Sequence, residues 1–182
     1  MKRPVVVALI VSGLALLTLG AITWVSGQVD AVTAPVDVAV TGARVSPAVL
    51  TIGLVVLASG MALTLAARRA ARAILALNVV AAIGGLVAVV LVLRDPAGAL
   101  LGALSDAVGA VELVGSATVH WAAYAAPAVL LVALGFGVVG LVRVGSWQQG
   151  RSRFDVAVPA ADARTRALDD WDALSEGRDP SA

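Results

Sequence analysis

The sequence predicts an all-α membrane protein, a four-transmembrane-helix bundle with both termini on the cytoplasmic side. Three observations predict it. Of 182 residues, 60% are hydrophobic and 14% charged, and the mean hydropathy of +0.97 excludes a water-soluble globule of this size. Four apolar runs each reach the roughly 20 residues that a helix needs to cross about 30 Å of hydrocarbon. The 13 basic residues are placed very unevenly along a chain whose net charge is only +1.

The first span is expected from Pro4 to Trp24, directly after the basic Met1-Lys2-Arg3. A secretory signal has an apolar region of about 7 to 15 residues, shorter than this one. The run also lacks a small-x-small cleavage site, so an uncleaved helix is expected. The second span runs from Pro47 to Ala67, the third from Ala73 to Leu93 and the fourth from Ala125 to about Val144, with Arg143 snorkelling towards the aqueous side. Length decides for helix, since membrane strands need only about 9 to 11 residues.

Basic residues beside a span stay on the cytoplasmic side. Lys2, Arg3, Arg68, Arg69, Arg72, Arg143, Arg151, Arg153, Arg164, Arg166 and Arg178 share one side if both termini are inside; only Arg44 and Arg94 fall on the other. Trp24, Trp121 and Tyr124 are expected at the outer interface and Trp147 at the inner one.

Between the spans, Val36-Asp37-Val38-Ala39-Val40-Thr41-Gly42 alternates as a short β element in the first outer loop, punctuated by Pro35 and Gly42. In the second outer loop, Leu100, Leu101, Leu104, Val108 and Val111 fall at helical spacing behind Arg94-Asp95-Pro96 and predict an interfacial helix, with Asp106 and Glu112 on its wetter side. His120 beside Trp121 reads as an interfacial residue, with a pH-sensing or ligand role as the sharper alternative.

Inside the spans there is little chemistry. None of the four cores holds an ionisable group, which a proton or ion pathway requires. Asn78 is the strongly polar exception and is the candidate for an interhelical polar contact. Ser12, Thr18, Thr51, Ser59 and Thr64 can bond carbonyls one turn back. Gly13-Leu14-x-x-Leu17-x-x-Gly20 recurs as Gly53-Leu54-x-x-Leu57-x-x-Gly60, giving two helices smooth faces for close packing. Gly135-x-Gly137-x-x-Gly140 matches a dinucleotide fingerprint in form only, because no strand precedes it and it lies in lipid. No catalytic, metal-binding or cofactor-binding residues are indicated. The absence of cysteine excludes disulfides and thiolate chemistry, and the balanced charge argues against nucleic acid.

The chain divides into a membrane domain, residues 1–147, and a cytoplasmic tail, residues 148–182. Within the tail a short amphipathic acidic helix is expected near residues 165–176, with Leu168, Trp171 and Leu174 along one face, followed by Asp179-Pro180. An acidic helix is repelled by an anionic leaflet, so Leu168, Trp171, Leu174, Asp179 and Pro180 form the candidate docking site for a cytoplasmic protein.

The ending Trp171-Asp172-Ala173-Leu174-Ser175-Glu176-Gly177-Arg178-Asp179-Pro180-Ser181 resembles the W-x-A-L-x-x-G-x-D-P-[TS] ending of the tryptophan-associated transmembrane proteins, small four-span proteins of actinobacteria. Thr23-Trp24-Val25, Val40-Thr41-Gly42, Ser46-Pro47-Ala48 and Tyr124-x-x-Pro127-Ala128 are similar to that family as well. The resemblance implies a link to tryptophan biosynthesis through gene neighbourhood, and it carries over no catalytic residues. Two functions follow. The leading one is a non-enzymatic inner-membrane scaffold or accessory protein whose tail recruits a partner. The alternative is a transporter or exporter subunit for tryptophan, indole or a related aromatic metabolite. It would have to assemble as a homo-oligomer, because four helices leave little room for a pathway, and Asn78, Ser59 and Thr64 would line it.

Overall fold

The computed structural model describes residues 2–30, 35–108, 113–147, Trp171 and Ser175. By contacts the chain separates into two units, Met1–Trp147 and Gln148–Ala182. Four long apolar helices, α1 (Lys2–Ala21), α3 (Pro47–Leu65), α4 (Arg68–Arg94) and α6 (Trp121–Arg143), form the first unit's bundle. Two short helices, α2 (Gly42–Val45) and α5 (Pro96–Val108), and three strands, β1 (Thr23–Asp30), β2 (Pro35–Thr41) and β3 (Leu113–Val119), fill the connections.

Each long helix packs on two others, α1 on α3 and α6, and α4 on α3 and α6, so the four make a closed ring. Leu9, Leu16, Val56, Leu63, Leu75, Val89 and Leu130 fill its interior and are fully buried. Apolar side chains on the opposite faces, such as Val7, Leu54, Leu77, Val87 and Leu131, are exposed. A chain with apolar residues on both faces suits lipid on the outside and protein on the inside.

The two repeated glycine motifs meet each other. Each position in the α1 motif has a counterpart forty residues later in α3. Gly13 faces Leu57, and its counterpart Gly53 faces Leu16 and Leu17; Gly20 faces Leu50, and its counterpart Gly60 faces Leu9 and Ile10. The contacts are reciprocal, as in an antiparallel pair related by a local twofold axis. Glycine allows the backbones to approach where dispersion, with little hydrophobic drive, must hold helices together in lipid.

The span limits differ from the sequence expectation in physically informative ways. The first helix ends at Ala21, three residues short of Trp24, because the chain turns at Ile22 into β1. The second ends at Leu65 and not Ala67. The third begins at Arg68, five residues before Ala73, so Arg68, Arg69 and Arg72 lie on the exposed first turns of α4 and the loop shrinks to Ala66-Ala67. Arginine is a good helix former whose stem tolerates the apolar border. The fourth starts at Trp121 and not Ala125, and ends at Arg143 before a 3₁₀ turn, Val144–Ser146.

Connectivity puts the strands, α2 and α5 at one end of the bundle, and the α3–α4 turn and Arg143 at the other. The cap sheet is antiparallel with strand order β2-β1-β3. The β element expected in the first outer loop is therefore a full hairpin. The second outer loop needs a correction. Its helix, α5, stops by Val108, and the chain returns as β3, a strand the helical reading had absorbed. Leu100 of α5 is buried against β1 at Gly27, so the helix uses its apolar stripe under the sheet. Val111 and Glu112 lie outside the described residues.

Candidate functional site

Asn78 is fully buried, and its Nδ2 donates to the Ala133 carbonyl of α6 at 3.2 Å. Its ring of neighbours is closed by Gly137, where an added Cβ would lie 2.6 Å from Nδ2. The amide oxygen has no hydrogen-bond partner among the described residues. An orphaned buried acceptor costs about 1–3 kcal/mol, whereas removing the whole polar group in favour of an apolar one of similar shape can be neutral. Asn78→Leu is therefore expected to shift thermal unfolding in detergent by less than about 1 kcal/mol in either direction. A loss of the folded bundle would show that the 3.2 Å bond contributes more than its geometry implies.

The other polar groups named from sequence are dispersed. Thr18 and Thr51 bond Leu14 and Pro47 carbonyls four residues back, and Thr64 bonds Met61 at 2.6 Å. Ser12 and Ser59 are buried, while Thr64 is exposed. Asn78 faces α6 while Gly60, next to Ser59, faces α1. Asn78 is thus buried against α6 while Thr64 is exposed, and the two do not face one interior path.

The cap holds a groove of ≈ 520 Å³ whose lining includes Ser26, Gln28, Asp37, Ser116 and Thr118. Sequence reasoning missed it because β3 supplies one wall. Gly115, Ser116 and Ala117 oppose Gly27 alone between the pairs Ser26↔Thr118 and Gln28↔Val114, and Gly115 takes a φ of +86°, open to glycine and strained for other residues. Such a bulge bends the strand and hollows the sheet. The β-rich Val-Gly-Ser-Ala-Thr-Val was the signal that could have revealed it.

Gln28 Nε2 donates to Asp37 Oδ1 at 2.8 Å across the β1–β2 pair. His120 Nε2 lies 2.9 Å from Ser26 Oγ, and the His120 amide donates to the Trp24 carbonyl at 2.8 Å. A serine and histidine at this distance could serve nucleophilic chemistry only with a group orienting the second ring nitrogen. Among the described residues no acid bonds His120. The pair ties β1 to the start of α6. Among the described residues no group of three potential metal ligands gathers.

Trp24, expected at the interface, is buried beneath the cap, and its Nε1 donates to the Leu19 carbonyl at 2.9 Å. Trp121 and Tyr124 are exposed at the start of α6. Trp171 is helical and 72% exposed. Leu168, Leu174, Asp179 and Pro180 lie outside the described residues.

These features define a four-span integral membrane protein with an α/β cap. Residues 6–181 match the profile of the tryptophan-associated transmembrane proteins, and the chain belongs to that family. No curated protein and no solved structure matches it.

Proposed function

We propose that the protein is a non-enzymatic accessory or scaffold associated with tryptophan metabolism, set in the inner membrane with both termini in the cytoplasm, and that its tail recruits a cytoplasmic partner. The observation that carries this reading is Trp171, a large aromatic side chain on a helical residue that is 72% exposed. Buried aromatic anchors dominate protein recognition, and an acidic tail is better suited to protein than to an anionic leaflet. The filled bundle interior supports it as well. The inward orientation rests on the arginines at the end opposite the cap, Arg68, Arg69, Arg72 and Arg143.

The alternative, export of tryptophan, indole or a related metabolite by a homo-oligomer, draws support only from the orphaned Asn78 oxygen. The exposure of Thr64, apart from the buried Asn78, favours the scaffold.

A photoreactive residue at Ser175, four residues after Trp171 in sequence, is expected to capture a discrete cytoplasmic protein in intact membranes, and Trp171→Ala should abolish the adduct. An adduct that persists unchanged in Trp171→Ala, or none at all, would overturn the docking assignment. Unaltered phenotype after truncation at Gln149 would do the same for the tail as a whole.

A further inference from the structure

We propose that the groove on the cap sheet binds a small hydroxylated primary amine, of which an amino sugar is a simple representative. The strands alternate. Val25, Val29 and Val40 are buried, and Val38, Ala117 and Val119 pack against the same core. Between them Gln28, Asp37, Ala39, Ser116 and Thr118 are exposed and Ser26 is half-buried, so the polar residues share the opposite face. Strand pairing sets them in two rows, Asp37, Gln28 and Val114 in one and Ala39, Ser26 and Thr118 in the next. Each row is roughly 10 Å wide at about 4.8 Å between strands. The bulge adds Ser116 to the β3 wall. The resulting ≈ 520 Å³ lies within the roughly 300–1,000 Å³ of small-molecule sites.

Charge selects the ligand. Among the described residues lining the groove Asp37 is the charged one, and no arginine or lysine joins it. Gln28 Nε2 donates to Asp37 Oδ1 at 2.8 Å, which orients the carboxylate and uses one of its roughly four lone-pair sites. An ammonium N–H at another site makes a charge-assisted bond about twice as strong as a neutral one. The surrounding chain has the same sign, since residues 22–46 and 94–120 carry Asp30, Asp37, Asp95, Asp106 and Glu112 against Arg44 and Arg94. That field disfavours a phosphate or carboxylate, which sets the ligand apart from a zwitterionic amino acid. Ser116 and Thr118 stand on β3, two strands from Asp37. Each hydroxyl both donates and accepts, so it pairs with ligand hydroxyls at the end opposite the ammonium.

The test is calorimetric titration of the full chain in nanodiscs, where both faces of the bilayer meet solvent. Glucosamine is expected to bind saturably. Glucose, which keeps hydroxyls without the ammonium, and serine, which adds a carboxylate, should bind far more weakly. Asp37→Asn, whose amide oxygen still accepts from Gln28, is expected to weaken glucosamine binding about tenfold or more. Thr118→Val, similar in shape and favourable in a strand, should weaken it about threefold, and keeps the test intact where Asp37→Asn disturbs β2. Asp30→Asn, at the end of β1 and outside the groove lining, should change it little. Absence of saturable glucosamine binding, equal binding of glucose or serine, unchanged affinity in either Asp37→Asn or Thr118→Val, or a loss in Asp30→Asn equal to that in Asp37→Asn would each overturn the proposal.

Discussion

Gly13→Ala is expected to lower the stability of the bundle by about 1–3 kcal/mol, read as an earlier midpoint of thermal unfolding in detergent followed by size-exclusion chromatography. The added methyl would lie 2.6 Å from Leu57 N and 2.7 Å from Leu57 Cα, atoms of a helix backbone that cannot rotate aside. Only separation of α1 from α3 relieves the clash, and that separation forfeits dispersion along the whole reciprocal seam. At Gly53 the nearest atoms belong to the Leu16 and Leu17 side chains, at 3.2 and 3.3 Å. Leu17 can change rotamer, so Gly53→Ala should cost less than Gly13→Ala. Gly84 has no atom within 4 Å of an added Cβ, and Gly84→Ala should be neutral or stabilising by up to about 1 kcal/mol, the helix-propensity difference. Indistinguishable midpoints for Gly13→Ala and Gly84→Ala would show that the seam is not held by glycine.

The same residues show what could be read from sequence. Apolar run length gave four spans because the bilayer imposes it, and the glycine motifs gave α1 and α3 smooth faces for close packing because lipid leaves few other ways to associate; that the two faces meet each other came from the structure. The reciprocal register of Gly13 on Leu57 and Gly53 on Leu17 was not legible, since it depends on where α1 stops and how the hairpin returns the chain. The cap was half legible. Val36 to Thr41 alternates and is a strand, but Leu113 to Val119 carries Gly115 in a bulge, and a bulge breaks the period that pattern reading relies on. Trp24 lies just past the end of the first span, as expected, but its burial was not legible for a related reason. An indole near the end of an apolar run fits an interfacial belt, and only the early stop of α1 at Ala21 puts it under the sheet. Asn78 could be recognised as a polar residue in a span, whereas its partner on α6 requires the ring order of the helices.

Trp24→Ala is expected to be the most damaging single change, costing about 3–5 kcal/mol, the range for deleting a large buried aromatic side chain. The indole is fully buried at the junction of bundle and cap, against Gly42 at the start of α2. Its Nε1–H serves one of the last carbonyls of α1, Leu19, which helix geometry leaves short of intrahelical partners. Trp24→Phe keeps much of the volume and should cost less, because the Ile22 amide still donates to Leu19 at 3.2 Å. The damage should also be local. Insertion of the spans depends on their own apolar length, so Trp24→Ala is expected to remain resistant to alkaline extraction from membranes. The cap, by contrast, should open, because Val25 and Val40 beside the indole lose their packing and the tie from Ser26 to His120 loses its fixed strand. Limited proteolysis of sealed vesicles with the cap side outward measures this directly, with cleavage of the cap segments expected only in the variant. Unchanged protection together with an unchanged unfolding midpoint would mean that the sheet and α5 hold the cap without the indole. Loss of membrane extraction resistance would mean that cap and bundle insert as one cooperative unit.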